Sequence, residues 1–217
     1  MNSRQFAVIG LGRFGSSVAR TLYEMGYQVL AIDADEERVR NLIDHSTRCV
    51  VADTTDENAL RSLGIRNFDV VIVGIGGDIQ ASILTTLLLK DLGVSYVVVK
   101  AQNEQHGKVL YKIGADKVVF PERDMGSRVA HNLVSSNILE YIQLSPDVSI
   151  IEIVSPEKFI GKELRQLDLR NRFGVNVIAI KRGGAINIAP RADDRMEQDD
   201  VMVVIGDTEA LKRLEKV

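Results

Sequence analysis

Residues 6–33, FAVIGLGRFGSSVARTLYEMGYQVLAID, decide how this chain is read. An apolar run meets three glycines, Gly10, Gly12 and Gly15, spaced G-x-G-x-x-G, and an amphipathic helical pattern follows. A second apolar run then closes on Asp33, 21 positions beyond Gly12. In such a strand–turn–helix–strand unit the first glycine permits the tight turn and the second lets the main chain approach a pyrophosphate. The third lets the helix pack closely on the strand. The helix N-terminus offers free N–H groups and the positive end of its dipole to phosphates. A carboxylate at Asp33 can accept hydrogen bonds from ribose hydroxyls, and with Asp35, Glu36 and Glu37 close behind, a 2′-phosphate is repelled, so a free ribose is favoured over NADP. The same glycines serve a tight connection without any ligand; the strand before, the helix after and the acid that ends the second strand favour binding.

Outward from this unit, the runs FAVIG, QVLAID, RCVVAD, DVVIVGI, SYVVVKA and KVVFP alternate with helical patterns near residues 14–25, 36–45, 56–63, 78–92 and 104–113. Near-continuous Val and Ile indicate strands buried on both faces, so residues 1–121 are expected to form a Rossmann-like, doubly wound parallel sheet of the α/β class. From Pro121 the pattern predicts one long helix that leaves the sheet and runs through residues 122–144, with the weak helix formers Ser135, Ser136 and Asn137 as its kink or hinge. Residues 145–217 read as a small α+β lobe with strands SIIEIVS, NVIAIKR, AINIAP and DVMVVIGD and helices around KELRQLDLRN and TEALKRLEKV. So small a lobe is expected to gain stability by pairing with a second copy.

The 217 residues are 45% hydrophobic and 26% charged, within the globular range. A net charge of −3 and no long basic run argue against nucleic acid as a partner. The single cysteine, Cys49, forms no intramolecular disulfide. No export signal and no bilayer-length apolar segment are visible, which predicts a cytoplasmic protein. His45, His106 and His131 fall on separate helical segments, expected away from the strand ends, and residues 144–217 contain neither His nor Cys. Hydride transfer normally needs an acid or base poised near neutrality, and no metal-ligand spacing or G-x-S-x-G elbow is present. The expectation is a nucleotide that is read rather than consumed, by a protein that is not an enzyme; a small NAD(H)-dependent oxidoreductase is the alternative.

Arg13, inside the glycine turn, suits a phosphate chain longer or more exposed than a bridged pyrophosphate, so ATP or ADP fits as well as NAD; it also reads as a solvated arginine. Asp53 and Thr54 close the third strand and Lys100 the fifth, where ligands of open parallel sheets lie. Asp53 or Thr54 equally suits the N-cap of the helix starting near Asp56. Glu122 follows the sixth strand, an unfavourable place beside phosphates unless a cation intervenes. The residues alone favour reading it as an acid at a helix N-terminus.

FAVIGLGRFG, VVADTTDENALRSLGIRNFDVVIVGIG, IQASILTTLLLKDLG, VKAQNEQHGKVLYKIGADKVVFPERDMG and LDLRNRFGVNVIAIKRG together resemble the cytosolic regulatory subunits of bacterial Ktr potassium-uptake systems, within the wider RCK or KTN domains. The resemblance implies a Rossmann-type N-lobe, a crossover helix and a small C-lobe. It further implies a homo-octameric ring built from dimers, docked on a membrane potassium-translocating subunit, with ATP and ADP favouring different ring states and NAD or NADH bound in some relatives. The apolar segment IQASILTTLLLKDLG then serves subunit contacts. By this resemblance Gly10, Gly12, Arg13, Phe14 and Gly15 cradle the nucleotide, Arg13 reaches a γ-phosphate, Asp33 holds the ribose, and Asp53, Thr54 and Lys100 line the pocket. Glu122 matches a residue that coordinates a divalent or monovalent cation, which reverses its bland reading. The C-lobe resembles the domain that binds cyclic di-AMP at a two-fold interface. Arg170 would contact phosphate, Asp168 and Asn176 would make polar contacts, and Leu164 and Pro190 would form apolar floors. Arg165 departs from the pattern, since relatives carry an aliphatic residue there.

Overall fold

The chain runs β1 (Gln5–Ile9), α1 (Arg13–Glu24), β2 (Gln28–Asp33), α2 (Glu36–Arg40), β3 (Arg48–Val51), α3 (Glu57–Ser62), β4 (Val70–Val73), α4 (Ile79–Asp91), β5 (Val97–Lys100), α5 (Glu104–Lys112) and β6 (Lys117–Val119). All six strands pair in parallel, in the order β3-β2-β1-β4-β5-β6. Strand side chains alternate between faces. Accordingly Ala7, Ile9, Leu30, Ile32, Val71 and Val73 pack with Leu60, Leu89 and Leu110 of α3, α4 and α5. Val8, Val29, Ala31 and Ile72 pack on the other face with Ala19 of α1 and Val39 of α2. Both faces are buried, which is why the strands read as unbroken apolar runs. The doubly wound parallel sheet expected from the sequence is thus present. The helix expected over residues 36–45 stops at Arg40, and a 3₁₀ turn covers Ile43–His45.

This computed structural model describes residues 4–134, 138–145 and 147–217, and the chain divides into two compact units, residues 1–121 and 122–217. Ser135, Ser136 and Asn137, the expected hinge, lie outside the described residues. The second unit comprises most of α6 (Pro121–Val134), then β7 (Ile138–Gln143), β8 (Val148–Val154), α7 (Leu164–Leu167), α8 (Leu169–Phe173), β9 (Asn176–Arg182), β10 (Ala185–Asn187), β11 (Val201–Asp207) and α9 (Thr208–Glu215). Its antiparallel sheet has the order β10-β9-β11-β8-β7.

The expectation of one helix through residue 144 is overturned, because residues 138–143 are a strand paired to β8. A bulge explains the misreading. Ile138 pairs with Ile153 and Tyr141 with Ile151, so Leu139 is an extra residue and two side chains three apart share the core face, imitating helical spacing. The helix expected around KELRQLDLRN is likewise split, because Asp168 adopts a left-handed φ of 46° between α7 and α8. Asp200, fully buried, takes two Arg182 bonds of 2.7 Å and the Glu197 N–H at 2.6 Å.

Candidate functional site

The strand order reverses between β1 and β4, and there the two loops interlock through glycine. Gly10 has φ of +83°, and a Cβ on it would stand 2.7 Å from the Ile75 nitrogen. A Cβ on Gly15 would lie 1.9 Å from the Gly10 oxygen, and one on Gly74 would lie 2.9 Å from that same oxygen. Packing therefore requires three of the glycines at this junction. Gly12 is different, since nothing lies within 4 Å of the place its Cβ would occupy.

Gly12 is also the N-cap of α1, with no side-chain cap and no acid in the first turn. By contrast α2, α3, α4, α5 and α9 are capped by Asp35, Asp56, Asp78, Asn103 and Asp207. The first N–H groups of α1 thus face an opening with no carboxylate set among them, an arrangement suited to an anion. Arg13, the first residue of α1, is exposed and forms no side-chain bond or ion pair among the described residues, while Phe14 is half-buried against the apolar cluster beneath α1.

Asp33 is buried, and both oxygens hold main chain: Oδ2 accepts the Leu11 N–H at 2.6 Å and Oδ1 the Asp35 N–H at 2.9 Å. It therefore anchors the glycine turn as well as ending β2. Asp53 Oδ1 accepts the Thr55 hydroxyl and amide at 2.7 and 2.9 Å, and these two bonds, the hydroxyl foremost, hold its pKa below the usual carboxylate range. Thr54 is buried, with its hydroxyl 3.0 Å from that of Thr85 on α4. Neither residue caps α3; Asp56 does, accepting the Asn58 N–H at 2.8 Å, which corrects that alternative.

Lys100 ends β5 with its Nζ over the loop after β4, 3.2 Å from where a Cβ on Gly76 would stand. His106, expected away from the strand ends, lies instead in the first turn of the helix after β5, with Nδ1 accepting the Gln102 N–H at 3.3 Å. Burial pushes its pKa down and keeps it neutral. Sequence reasoning did not single out Gln102 or the glycines of residues 74–77. The available signal was a glycine cluster at the end of the strand facing the first glycine turn.

Glu122 stands in the first turn of α6 and opens the second unit. In that unit Arg170 on α8 and Asn176 at the start of β9 are exposed, Leu164 and Pro190 half-buried, and Asp168 accepts the Asn171 amide at 2.7 Å. Arg165, the departure from the expected pattern, pairs with Glu163 at 2.5 Å.

A Rossmann-type unit with an open glycine turn at its switch point, followed by a small antiparallel α+β unit, defines the class of fold. Residues 6–121 match the TrkA-N domain and residues 148–217 the TrkA-C domain. The chain is 51% identical over 213 residues to Ktr system potassium uptake protein C of Bacillus subtilis, covering 98% of this chain and 96% of that one. It is 47% identical over 215 residues to Ktr system potassium uptake protein A of the same organism, covering 99% and 97%. It therefore belongs to the Ktr potassium uptake family built of TrkA-N and TrkA-C domains, as the resemblance in its sequence implied. The crystal structure of the GsuK RCK domain matches with a TM-score of 0.70 at 20% identity, a likeness of fold alone. That match covers 99% of this chain and 48% of the other, so this chain spans about half of it.

Proposed function

We propose that this protein is a regulatory, non-enzymatic cytoplasmic subunit that binds ATP or ADP, with NAD or NADH as further ligands, at the glycine turn of its first unit. The nucleotide sets the conformation of a homo-octameric ring of dimers, and the ring governs potassium uptake through a membrane translocating subunit. The observation that carries the reading is Gly12, whose missing side chain answers no packing need and leaves open the uncapped start of α1. Kinship with the Ktr potassium uptake proteins supports regulation over turnover.

In this reading Gly10, Gly12, Phe14 and Gly15 present main chain to the phosphates, Arg13 meets the distal phosphate, and Asp33 uses its remaining lone pairs for the ribose. Asp53, Thr54 and Lys100 border the crevice. Only contacts that differ between ATP and ADP can shift a conformational equilibrium, and Arg13 supplies one. Glu122, matched by the resemblance to a cation-coordinating residue, would lend its carboxylate to a divalent or monovalent cation. Among the described residues no group of three or more His, Cys, Asp or Glu side chains is placed to hold a metal.

Ring assembly is supported by α4, which buries Ser82, Thr85 and Thr86 while Leu84 and Leu87 remain 41% and 40% exposed. No helix among the described residues is long and apolar enough to cross a membrane. In the second unit the exposed Ile178, Ile186 and Ile188 support pairing between copies. Leu164, Asp168, Arg170, Asn176 and Pro190 would bind cyclic di-AMP at that two-fold. The test is calorimetric titration of the full chain with ATP and ADP, followed by the same titration in the presence of a potassium-translocating subunit. Saturable binding of both nucleotides without hydrolysis fits the proposal; turnover or no binding overturns it.

A further inference from the structure

The loops after β4 and β5 are tied together on the far side of the switch point from β2. Gln102 donates its side-chain amide to the Gly76 carbonyl. Its main-chain N–H donates to His106 Nδ1, and Asn103 Oδ1 accepts the His106 N–H at 2.9 Å, so the first turn of α5 fixes the Gln102 backbone. His106 is 3% exposed, and its Nε2 is buried with no partner among the described residues. With Nδ1 acting as acceptor, the neutral ring carries its proton on that orphaned Nε2. A buried donor without an acceptor is costly, and a phenyl ring would fill a similar space without that cost. What the imidazole side chain supplies in return is the acceptor that holds Gln102.

In a doubly wound sheet a dinucleotide lies across the switch point, with one mononucleotide half served by β1–β3 and the other by β4–β6. The Gln102 side chain spans the ends of β4 and β5, in the second half, and Lys100 Nζ stands over the same loop. The α1 turn of the first half stays open at Gly12. We infer that Gln102, positioned by His106, is a specificity latch that disfavours a dinucleotide in the second half of the crevice while leaving the first half open to a mononucleotide. This rests on the nucleotide reading above. A mononucleotide leaves the Gln102–Gly76 bond in place; a dinucleotide must break it. Specificity is this difference between two affinities.

The test titrates the full-length chain with ADP by calorimetry and with NADH by fluorescence, in the wild type, Gln102→Ala, His106→Phe and the double variant. Gln102→Ala is expected to tighten NADH binding about two- to tenfold, the worth of one neutral hydrogen bond, with ADP binding unchanged. His106→Phe shifts the ADP-to-NADH ratio the same way, and the double variant goes no further than Gln102→Ala alone, because the two act through one bond. Gln102 is exposed, so its variant carries the test even where the buried His106 variant fails to fold. An unchanged ratio in Gln102→Ala, or parallel changes for both ligands, overturns the latch and leaves the nucleotide reading standing. Binding of neither ligand to the wild type overturns that reading and the latch with it.

Discussion

Two alanine substitutions three residues apart separate folding from binding at the glycine turn. In Gly15→Ala the new Cβ would stand 1.9 Å from the Gly10 oxygen and 3.0 Å from the Gly10 carbonyl carbon. Both are main-chain atoms, so relief requires moving the start of α1 off the sheet. Overpacking of this kind costs about 3 kcal/mol, which lowers the melting temperature of the first unit by roughly 10 °C. In Gly12→Ala the Cβ meets nothing within 4 Å, and the φ of −66° suits alanine. A backbone-entropy gain of about 0.4–1 kcal/mol opposes alanine's poorer N-capping of roughly 1 kcal/mol, so stability stays within about 1 kcal/mol of wild type. The methyl nevertheless fills the approach of the phosphates, and ADP affinity is expected to fall at least ~10-fold, or ~1.4 kcal/mol. Scanning calorimetry reads the first quantity and titration calorimetry the second. Wild-type ADP affinity in a folded Gly12→Ala would refute the argument that the open space above Gly12 belongs to a ligand.

Asp33→Ala weakens ATP and ADP together by roughly 1.5–3 kcal/mol and lowers stability as well, because the Leu11 and Asp35 N–H groups lose their acceptor; equal titrations of variant and wild type contradict the ribose assignment. Arg13→Ala leaves stability unchanged, since the side chain is exposed, and narrows the gap between ATP and ADP affinities; a preserved gap removes Arg13 as the distal-phosphate sensor. Arg170→Ala abolishes cyclic di-AMP binding with ATP binding intact, and absence of binding to the wild type at micromolar ligand means that Arg165 closes the place. Burial pushes the Asp200 carboxyl up, but the Arg182 hydrogen bond, the Glu197 amide and the Arg182 charge outweigh it, so its pKa lies below the usual value. A depressed folded-state pKa gives stability that is present above about pH 4, the unfolded value, and lost as pH falls through the folded one. Acid unfolding of the second unit therefore steepens below about pH 4, and Asp200→Asn, measured by circular dichroism against pH, flattens that region.

The six-stranded sheet was legible because its central strands, β1, β2 and β4, are buried on both faces, so apolar residues stand there at successive positions. Gly10 and Gly15 were legible for the same kind of reason, since steric demands of the fold leave a fixed spacing. The passage from α6 to β7 was not, because the bulge at Leu139 gives a strand the spacing of a helix. Nor does spacing tell whether a polar residue has lone pairs or protons to spare. Thr54 turns its hydroxyl to Thr85, and Asp33 holds two main-chain amides before any ribose arrives. Gln102 matched no motif, and its place across the β4 loop follows from the tertiary approach of two strand ends.

The central claim is that a nucleotide at the first unit is read as a signal for potassium movement. Potassium flux into liposomes carrying the membrane translocating subunit and this protein, compared with ATP and with ADP, tests it most directly. The account predicts faster flux with ATP than with ADP, without nucleotide turnover, and the difference reduced in Arg13→Ala. Equal flux with either nucleotide, or flux indifferent to the protein's presence, would contradict it.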